Sequence, residues 1–281
     1  MSPALPDHHL FGEAAASSDR KQAVADSSAL FPPGTSDKVI RSYLQLIILG
    51  PARRWAFLSI GKNASSSTLR VLYEMEFGHP LTVRYASPID INPSAVIHQL
   101  SEAGVFRRAL DLAMTAQEVR DADLLRLMVV RDPMARAVSA YRYFCRSNAE
   151  SAPWFVKDRL RVDAAVGFDW RHMPGTVEGF RRFLRYIALE VAQSGASALD
   201  PHWRPQTAFA PADVWRPDLI GRMEDLGSFY AELAQRLDRP APGTAPRENS
   251  QPGDAEDLTR DRTARELVAA IYHADYEAFG Y

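Results

Sequence analysis

A lysine that precedes a run of hydroxyl side chains is the first feature of this sequence that could do chemistry. Residues 59–68 read Ser-Ile-Gly-Lys-Asn-Ala-Ser-Ser-Ser-Thr, with Lys62 just ahead of the hydroxyl groups. Small side chains let an anion approach the backbone, and the amide groups that begin a helix have no partners inside it. The segment therefore predicts a binding site for a phosphate or sulfonate group. Its residues are Gly61, Lys62, Asn63, Ala64, Ser65, Ser66 and Ser67.

A second candidate anion site lies in residues 131–141, which read Arg-Asp-Pro-Met-Ala-Arg-Ala-Val-Ser-Ala-Tyr. Arg131 directly follows an apolar run, and Ser139 lies three residues after Arg136, so that these two share one face of a helix. Arginine suits a phosphate because its planar fork donates two parallel charged hydrogen bonds. We therefore predict that Arg131 and Ser139 bracket a second phosphate. Two such sites suggest a ligand with two anionic groups at a fixed distance.

The elements around these segments follow from the apolar pattern. Residues 53–60 predict a short buried strand, and residues 66–77 place apolar side chains at helical spacing. The continuous apolar run 124–130 is typical of a strand covered on both faces of a parallel sheet. Asp132 can cap the next helix, with Pro133 in its first turn. Two strand–loop–helix units predict an α/β fold, a single domain with a central parallel sheet flanked by helices.

The rest of the chain is predicted in less detail. Residues 1–37 show no apolar period and predict a disordered N-terminal arm, which leaves residues 38–281 as the folded domain. Residues 81–85 and 218–221 predict further short strands. Residues 256–279 predict one closing helix.

Composition excludes several classes of protein. The formal net charge of -2 argues against a general nucleic-acid coat. Cys145 is the one cysteine, so no intramolecular disulfide can form, and this favours a reducing compartment. The apolar run 44–49 is too short for a membrane span. The N-terminal residues lack the pattern of a secretory signal, and no metal ligands cluster. We expect a cytoplasmic protein with no metal.

The two anion segments resemble those of the PAPS-dependent sulfotransferases, where PAPS is 3′-phosphoadenosine-5′-phosphosulfate. The similarity is to the branch that contains the Golgi carbohydrate sulfotransferases and their bacterial relatives. Residues 60–67 resemble the 5′-phosphosulfate loop of that family, and residues 131–141 resemble its 3′-phosphate element. Three weaker similarities follow in chain order, namely His-Trp-Arg-Pro-Gln at 202–206, Ile-Gly-Arg-Met-Glu at 220–224, and the polar pair Asn249 and Ser250. The resemblance covers residues 53–281.

This resemblance implies a P-loop-NTPase-like sulfotransferase fold and PAPS as co-substrate, without a metal. Lys62 would neutralise the charge that develops on the leaving oxygen, while Arg131 and Ser139 would hold the 3′-phosphate. Arg222, Asn249 and Ser250 would lie near the cofactor. The acceptor would be a small molecule or glycan, and carbohydrate, lipid and secondary metabolite all stay open. We expect neither the membrane anchor nor the disulfides of Golgi members in this protein, which points to a soluble, bacterial enzyme.

An acceptor hydroxyl or amine also needs a general base. The candidates are His98 and His202, with Glu102 and His79 behind them. His98 interrupts an apolar stretch, and His202 precedes Trp203. The sequence alone does not choose between them.

Two other functions fit parts of the pattern. A kinase-like phosphotransferase would share the strand–loop–helix units but would need a Mg²⁺-binding carboxylate, for which Asp132 is the formal candidate. The Walker pattern, in which Gly-Lys-Ser/Thr follows a glycine and four residues, is absent. A non-catalytic module could keep the fold and bind a nucleotide or a partner protein.

Overall fold

Five short strands form the central sheet. The computed structural model describes residues 11–85, 96–211, 213–241 and 255–281. The strands are β1 Ile47–Leu49, β2 Trp55–Leu58, β3 Arg107–Arg108, β4 Leu125–Val130 and β5 Leu219–Arg222. Their order across the sheet is β3-β1-β2-β4-β5. The neighbours β2, β4 and β5 are parallel, whereas β1 pairs antiparallel with both β2 and β3.

The helices cover both faces of this sheet. They are α1 Ser17–Ser27, α2 Asp37–Leu46, α3 Ser65–Phe77, α4 Val96–Glu102, α5 Ala116–Asp121, α6 Pro133–Ala149, α7 Val156–Val166, α8 Val177–Ser194, α9 Leu226–Leu237, α10 Ala255–Arg260, α11 Arg262–Ile271 and α12 His273–Phe279. Helices α2 and α5 pack on one face and α3, α4 and α9 on the other. A third apolar cluster joins α6, α7, α8 and α11 beside the sheet.

The alternation of side chains explains why β2 is buried along its whole length and β4 over its last four residues. In β2, Ala56 and Leu58 belong to the apolar cluster on one face, whereas Phe57 belongs to the cluster on the other. In β4, Val129 and Val130 divide between the faces in the same way. The predictions of a strand within residues 53–60, of a doubly covered strand at 124–130 and of a mixed α/β single domain are therefore confirmed. The predicted sheet was wholly parallel, and β1 and β3 make it only mostly so.

Three predictions about the remaining chain are wrong. Within the predicted disordered arm, residues 1–10 lie outside the described residues, but α1 packs Val24 into the core, and the Ser27 hydroxyl accepts a 2.8 Å hydrogen bond from the Ala116 amide. Much of the buried face of α1 is alanine and serine, so it shows no apolar period. Residues 81–85 form no strand, and Val83 is 62% exposed. The predicted closing helix is three helices, because Asp261 caps a new helix, α11, and the helical backbone is interrupted again at Tyr272 before α12.

None of the helices in the described part of the chain is both long enough and apolar enough to span a bilayer.

Candidate functional site

The two predicted anion segments lie at the same edge of the sheet. Strands β2 and β4 are adjacent and parallel, with Leu58 beside Met128, so the segments that follow them leave the sheet side by side. Ligands of open α/β sheets bind at this carboxyl edge. One guanidinium nitrogen of Arg131 donates to the Lys62 carbonyl oxygen at 3.2 Å. The two segments therefore form one contiguous region around Lys62 and Arg131.

The backbone of the Lys62 loop has the shape of an anion-binding concavity. Lys62 and Ala64 both adopt left-handed φ values, 69° and 55°, on either side of Asn63. Left-handed residues within a turn aim successive amide groups inward, as in phosphate-binding loops. The conformation is costly for residues with a Cβ, by about 1–2 kcal/mol each, and such strain collects at functional sites. Helix α3 then begins at Ser65 without a side-chain cap, which leaves its first amides for a ligand.

The loop side chains have different uses. The Ser65 hydroxyl donates to the Ile60 carbonyl at 2.5 Å and so closes the turn. Ser66 is half-buried at the start of α3, and Ser67 is buried. The predicted ligand contacts of this loop therefore depend mainly on the backbone amides, Lys62 and Ser66.

The Lys62 ammonium is held in an unusual environment. Its Nζ lies 4.1 Å from the centre of the Tyr143 ring, over the ring face. Burial, and then the positive charges of Arg131, Arg136 and Arg146, lower the pKa of Lys62 to about 7. A nearby anion would oppose both effects and favour the charged form. A phosphate or sulfonate bound beside Lys62 would therefore raise its pKa again.

Gln206 connects the Lys62 loop to Arg131. Its side-chain oxygen accepts from Asn63 Nδ2 at 2.6 Å and from the Arg131 amide at 2.9 Å, and its Nε2 donates to the Arg131 carbonyl at 3.0 Å. The backbone amide of Gln206 donates to the buried carboxylate of Asp275 at 2.7 Å. Asn63 also donates to the Val129 carbonyl at 2.9 Å. The Asn63 side chain, predicted to bind the cofactor, is therefore used to fix the loop on β4.

We expect Gln206→Ala to destabilise the protein by about 2–3 kcal/mol, because the buried Asn63 side chain and the partly buried backbone groups of Arg131 lose hydrogen-bond partners. We also expect affinity for the predicted ligand with two anionic groups, probed with adenosine 3′,5′-bisphosphate, to fall about tenfold, because Gln206 no longer links the two segments. Urea unfolding and calorimetric titration measure both effects. Gln235→Ala on the exposed face of α9 is the matched control. A Gln206→Ala protein with wild-type stability and affinity would contradict the bracing role.

Arg136 has a role that the sequence did not predict. Its guanidinium is buried and donates to three carbonyls, those of Gly61 at 3.2 Å, Pro201 at 3.1 Å and Arg204 at 2.7 Å. It therefore joins the Lys62 loop to residues 201–204. Sequence reasoning missed this role, although the position of Arg136 inside the 131–141 segment was a signal.

The other predicted cofactor residues vary in position. Ser139 is half-buried on α6, which starts directly after Arg131 and Asp132. Arg222 is exposed, lies 4.6 Å from the Tyr281 ring and donates to the Phe279 carbonyl, so it secures the last residues of the chain. Asn249 and Ser250 lie outside the described residues.

His202 lies beside the Lys62 loop. Its ring stacks on that of Tyr143, with centroids 5.2 Å apart and planes at 23°. Gly61 passes so close that an added Cβ would lie 3.2 Å from the Pro201 carbonyl oxygen and 3.6 Å from His202 Cα. His202 is therefore next to the Lys62 loop in two ways. Its ring stacks on the Tyr143 ring that Lys62 also contacts, and its backbone contacts the loop at Gly61.

Asp200 orients the His202 ring. Its Oδ1 lies 2.7 Å from His202 Nδ1 and accepts from the His202 backbone amide at 2.9 Å. Burial opposes ionisation of Asp200, but the hydrogen bonds from His202 outweigh it and lower the pKa of the carboxyl. An ionised carboxylate only accepts, so in the neutral imidazole the proton lies on Nδ1 and Nε2 is the acceptor. This is the tautomer that a general base needs. Sequence reasoning missed Asp200.

The other candidate bases lie on or after the helices α3 and α4. His79 follows the far end of α3, and a helix of 13 residues separates it from the Lys62 loop by about 20 Å. His98 is exposed on α4, and Glu102 on the same helix pairs with Arg108 at 2.6 Å. Helix α4 packs against α3 and β3. His202, which contacts both the Tyr143 ring and the Lys62 loop, is therefore the candidate base that we consider below.

The carboxylate required by the kinase alternative has another use. Asp132 Oδ1 accepts from the Ala135 amide at 2.7 Å and caps α6, as predicted from its place before Pro133. Among the described residues, no group of three or more His, Cys, Asp or Glu side chains could hold a metal ion.

Fold and site together define a mixed α/β protein in which the two predicted anion-binding segments lie at the carboxyl edge of the sheet. The chain matches the sequence model of the Sulfotransferase family over residues 47–281, and it belongs to that family. Searches of curated proteins and of solved structures found no match.

Proposed function

We propose that this protein transfers a sulfuryl group from PAPS to a hydroxyl or amine of a small-molecule or glycan acceptor. The observation that carries the proposal is the convergence of three groups on one sheet edge. These are the Lys62 loop, the Arg131 guanidinium at 3.2 Å from it, and His202, which reaches Lys62 through the Tyr143 ring. They provide an ammonium cation for the leaving oxygen, a guanidinium group for a phosphate, and a ring nitrogen that can accept a proton.

Donor binding would use the backbone amides of the loop and of the start of α3 for the 5′-phosphosulfate. Arg131 and Ser139 would hold the 3′-phosphate, which ATP lacks. Burial lowers the pKa of Arg131, although the nearby Glu224 and Asp132 oppose this. Guanidinium stays charged across the working pH range and can form two hydrogen bonds to the phosphate.

In the transfer step, PAPS supplies the sulfuryl group, and the bridging S–O bond breaks as a new S–O or S–N bond forms to the acceptor. The Lys62 ammonium neutralises the negative charge that develops on the leaving phosphate oxygen. His202 Nε2 takes the proton of the acceptor, and the ionised Asp200 stabilises the imidazolium that results. Lys62 and the loop amides supply the positive charge, so the proposed reaction uses no metal.

The single cysteine fits a reducing, cytoplasmic location for the enzyme. Cys145 is half-buried, and burial raises the pKa of its thiol to about 11. A thiol that stays protonated near neutral pH is a poor nucleophile. Cys145 therefore has no part in the proposed chemistry.

Thermal unfolding with three ligands tests the proposal. We expect adenosine 3′,5′-bisphosphate to raise the melting temperature, and AMP or Mg-ATP to have little effect, because only the bisphosphate carries both phosphates. At a concentration about 100 times Kd, binding adds about 2.7 kcal/mol of stability. In a domain of this size that is a shift of about 5–10 °C. A shift with Mg-ATP alone favours a kinase, and no shift with any ligand favours an interaction module.

Labelled PAPS then identifies the acceptor class. Incubation with separate pools of carbohydrates, lipids and phenolic metabolites, followed by mass spectrometry, detects any product heavier by one sulfuryl group. Lys62→Ala protein is the control for non-enzymatic transfer. Bisphosphate binding without transfer to any pool would count against the catalytic part of the proposal.

A further inference from the structure

The ring of Tyr143 contacts both Lys62, the proposed cation at the leaving oxygen, and His202, the proposed base at the acceptor. Lys62 Nζ lies 4.1 Å from its centre, and the His202 ring stacks on it with a centroid separation of 5.2 Å. Tyr143 is half-buried on α6, one helical turn after Ser139. Its ring is therefore at the site while its backbone belongs to a rigid helix.

We propose that Tyr143 is a positioning residue that holds the Lys62 ammonium and the His202 imidazole at one aromatic ring. It thereby sets the spacing between the cation at the leaving oxygen and the base at the acceptor. The kinetic consequence of this inference rests on the proposed function, but the lysine contact itself does not.

The contact between Lys62 and the Tyr143 ring is electrostatic. An ammonium over the face of a tyrosine ring is attracted by the ring quadrupole, and more strongly where water is excluded. The lysine stem is flexible, so without the ring its Nζ would sample many positions. The positive charges of Arg131, Arg136 and Arg146 act on Lys62 as well, and all of them repel it. The ring face is thus an attractive contact that opposes this repulsion.

The contact with His202 acts on the orientation of the imidazole ring. Asp200 fixes the Nδ1 edge of His202 by a 2.7 Å contact, which still allows the ring to tilt. Tyr143 covers one side, and Phe155 meets the ring edge-to-face at 5.0 Å and 90°. Phe155 itself has a left-handed φ of 64°, a strained conformation for an aromatic residue. The aromatic contacts therefore limit the tilt of the base.

Two substitutions of Tyr143 distinguish the effect of its aromatic ring from that of its hydroxyl group. Tyr143→Leu keeps an apolar side chain but removes the aromatic face, and we expect kcat to fall about 10- to 100-fold, as for other small misplacements of catalytic groups. KM for PAPS should stay within about threefold, because the phosphate contacts are untouched. Tyr143→Phe keeps the ring face and should recover most of kcat. Equal losses in both variants would assign the effect to the hydroxyl and overturn the proposal.

A second readout does not need any transfer. The chain has four lysines, Lys21, Lys38, Lys62 and Lys157, so acylation of each amine can be followed by peptide mass spectrometry over a pH series. Loss of the ring removes an interaction that favours the ammonium, so in Tyr143→Leu the midpoint of Lys62 acylation should move down by about half a pH unit. Tyr143→Phe should leave it in place, and the other lysines serve as internal references.

The two readouts distinguish the possible failures. If wild-type protein transfers nothing from PAPS but the Lys62 midpoint moves in Tyr143→Leu alone, the proposed function fails and the lysine contact stands. If transfer is present and Tyr143→Leu changes neither kcat nor the midpoint, the positioning role is wrong. If Tyr143→Leu loses the thermal shift with adenosine 3′,5′-bisphosphate as well, its effect is general damage, and the inference is also overturned.

Discussion

Lys62→Ala is expected to lower the rate of sulfuryl transfer about 100- to 1,000-fold, or about 3–4 kcal/mol of transition-state stabilisation. The loop amides remain in this variant, so affinity for adenosine 3′,5′-bisphosphate should stay within about threefold. The reason is that Lys62 acts on charge that is larger in the transition state than in the bound donor. Single-turnover transfer and calorimetric titration measure the two quantities.

Arg131→Ala should give the opposite pattern, with a large loss of bisphosphate affinity, because Arg131 is assigned to phosphate binding. Lys157→Ala, at an exposed position on α7, is the control for the loss of a positive charge. Equal and modest losses from Lys62→Ala and Arg131→Ala in both measurements would contradict the assigned roles.

The pH dependence gives a further test of Lys62. The pKa of Lys62 is lowered to about 7, so in the free enzyme it loses its proton as pH rises through neutrality. We therefore expect kcat/KM, which reports the free enzyme, to fall on the alkaline side of about pH 7. Lys62→Arg keeps its charge at higher pH, so the alkaline fall should disappear even if the maximum rate is lower. An unchanged alkaline limb in Lys62→Arg would assign it to another group.

His202→Ala is expected to have the second large effect, a loss of about 100- to 10,000-fold in kcat, typical for removal of a general base. Asp200→Asn should lower kcat by a smaller but still measurable factor, because an amide can donate to Nδ1 and so favour the wrong tautomer of His202. Affinity for the bisphosphate should be unaffected, since neither residue is assigned to the phosphates. Steady-state kinetics with a saturating acceptor measure both variants.

The chain provides a matched control for this pair. His172 lies 2.7 Å from the carboxylate of Asp169, the same separation as in the His202 and Asp200 pair, but its side chain is 75% exposed. His172→Ala should therefore leave kcat within about twofold of wild type, as for most surface substitutions. Full activity in His202→Ala would refute the assignment, and attention would return to His98.

Much of the site region could be predicted from local pattern. The apolar run at 124–130 indicated a strand buried on both faces, and β4 alternates its side chains between two apolar clusters. Asp132 before Pro133 indicated a helix start, and Asp132 caps α6. Strand β1 was not predicted, because three apolar residues directly after a helix show no period of their own. The fold of residues 17–27 was missed for a similar reason.

Local pattern was enough to indicate the family, the pair of strand–loop–helix units and the two segments around Lys62 and Arg131, because these depend on residue types at short spacing. The contacts between side chains that are far apart in sequence became visible only in the folded structure. In the folded structure, Gln206 contacts Asn63 and Arg131, and the Arg136 guanidinium donates to three carbonyls. The Tyr143 ring contacts both Lys62 and His202. Such contacts follow from how elements pack, and no local period or spacing records that packing.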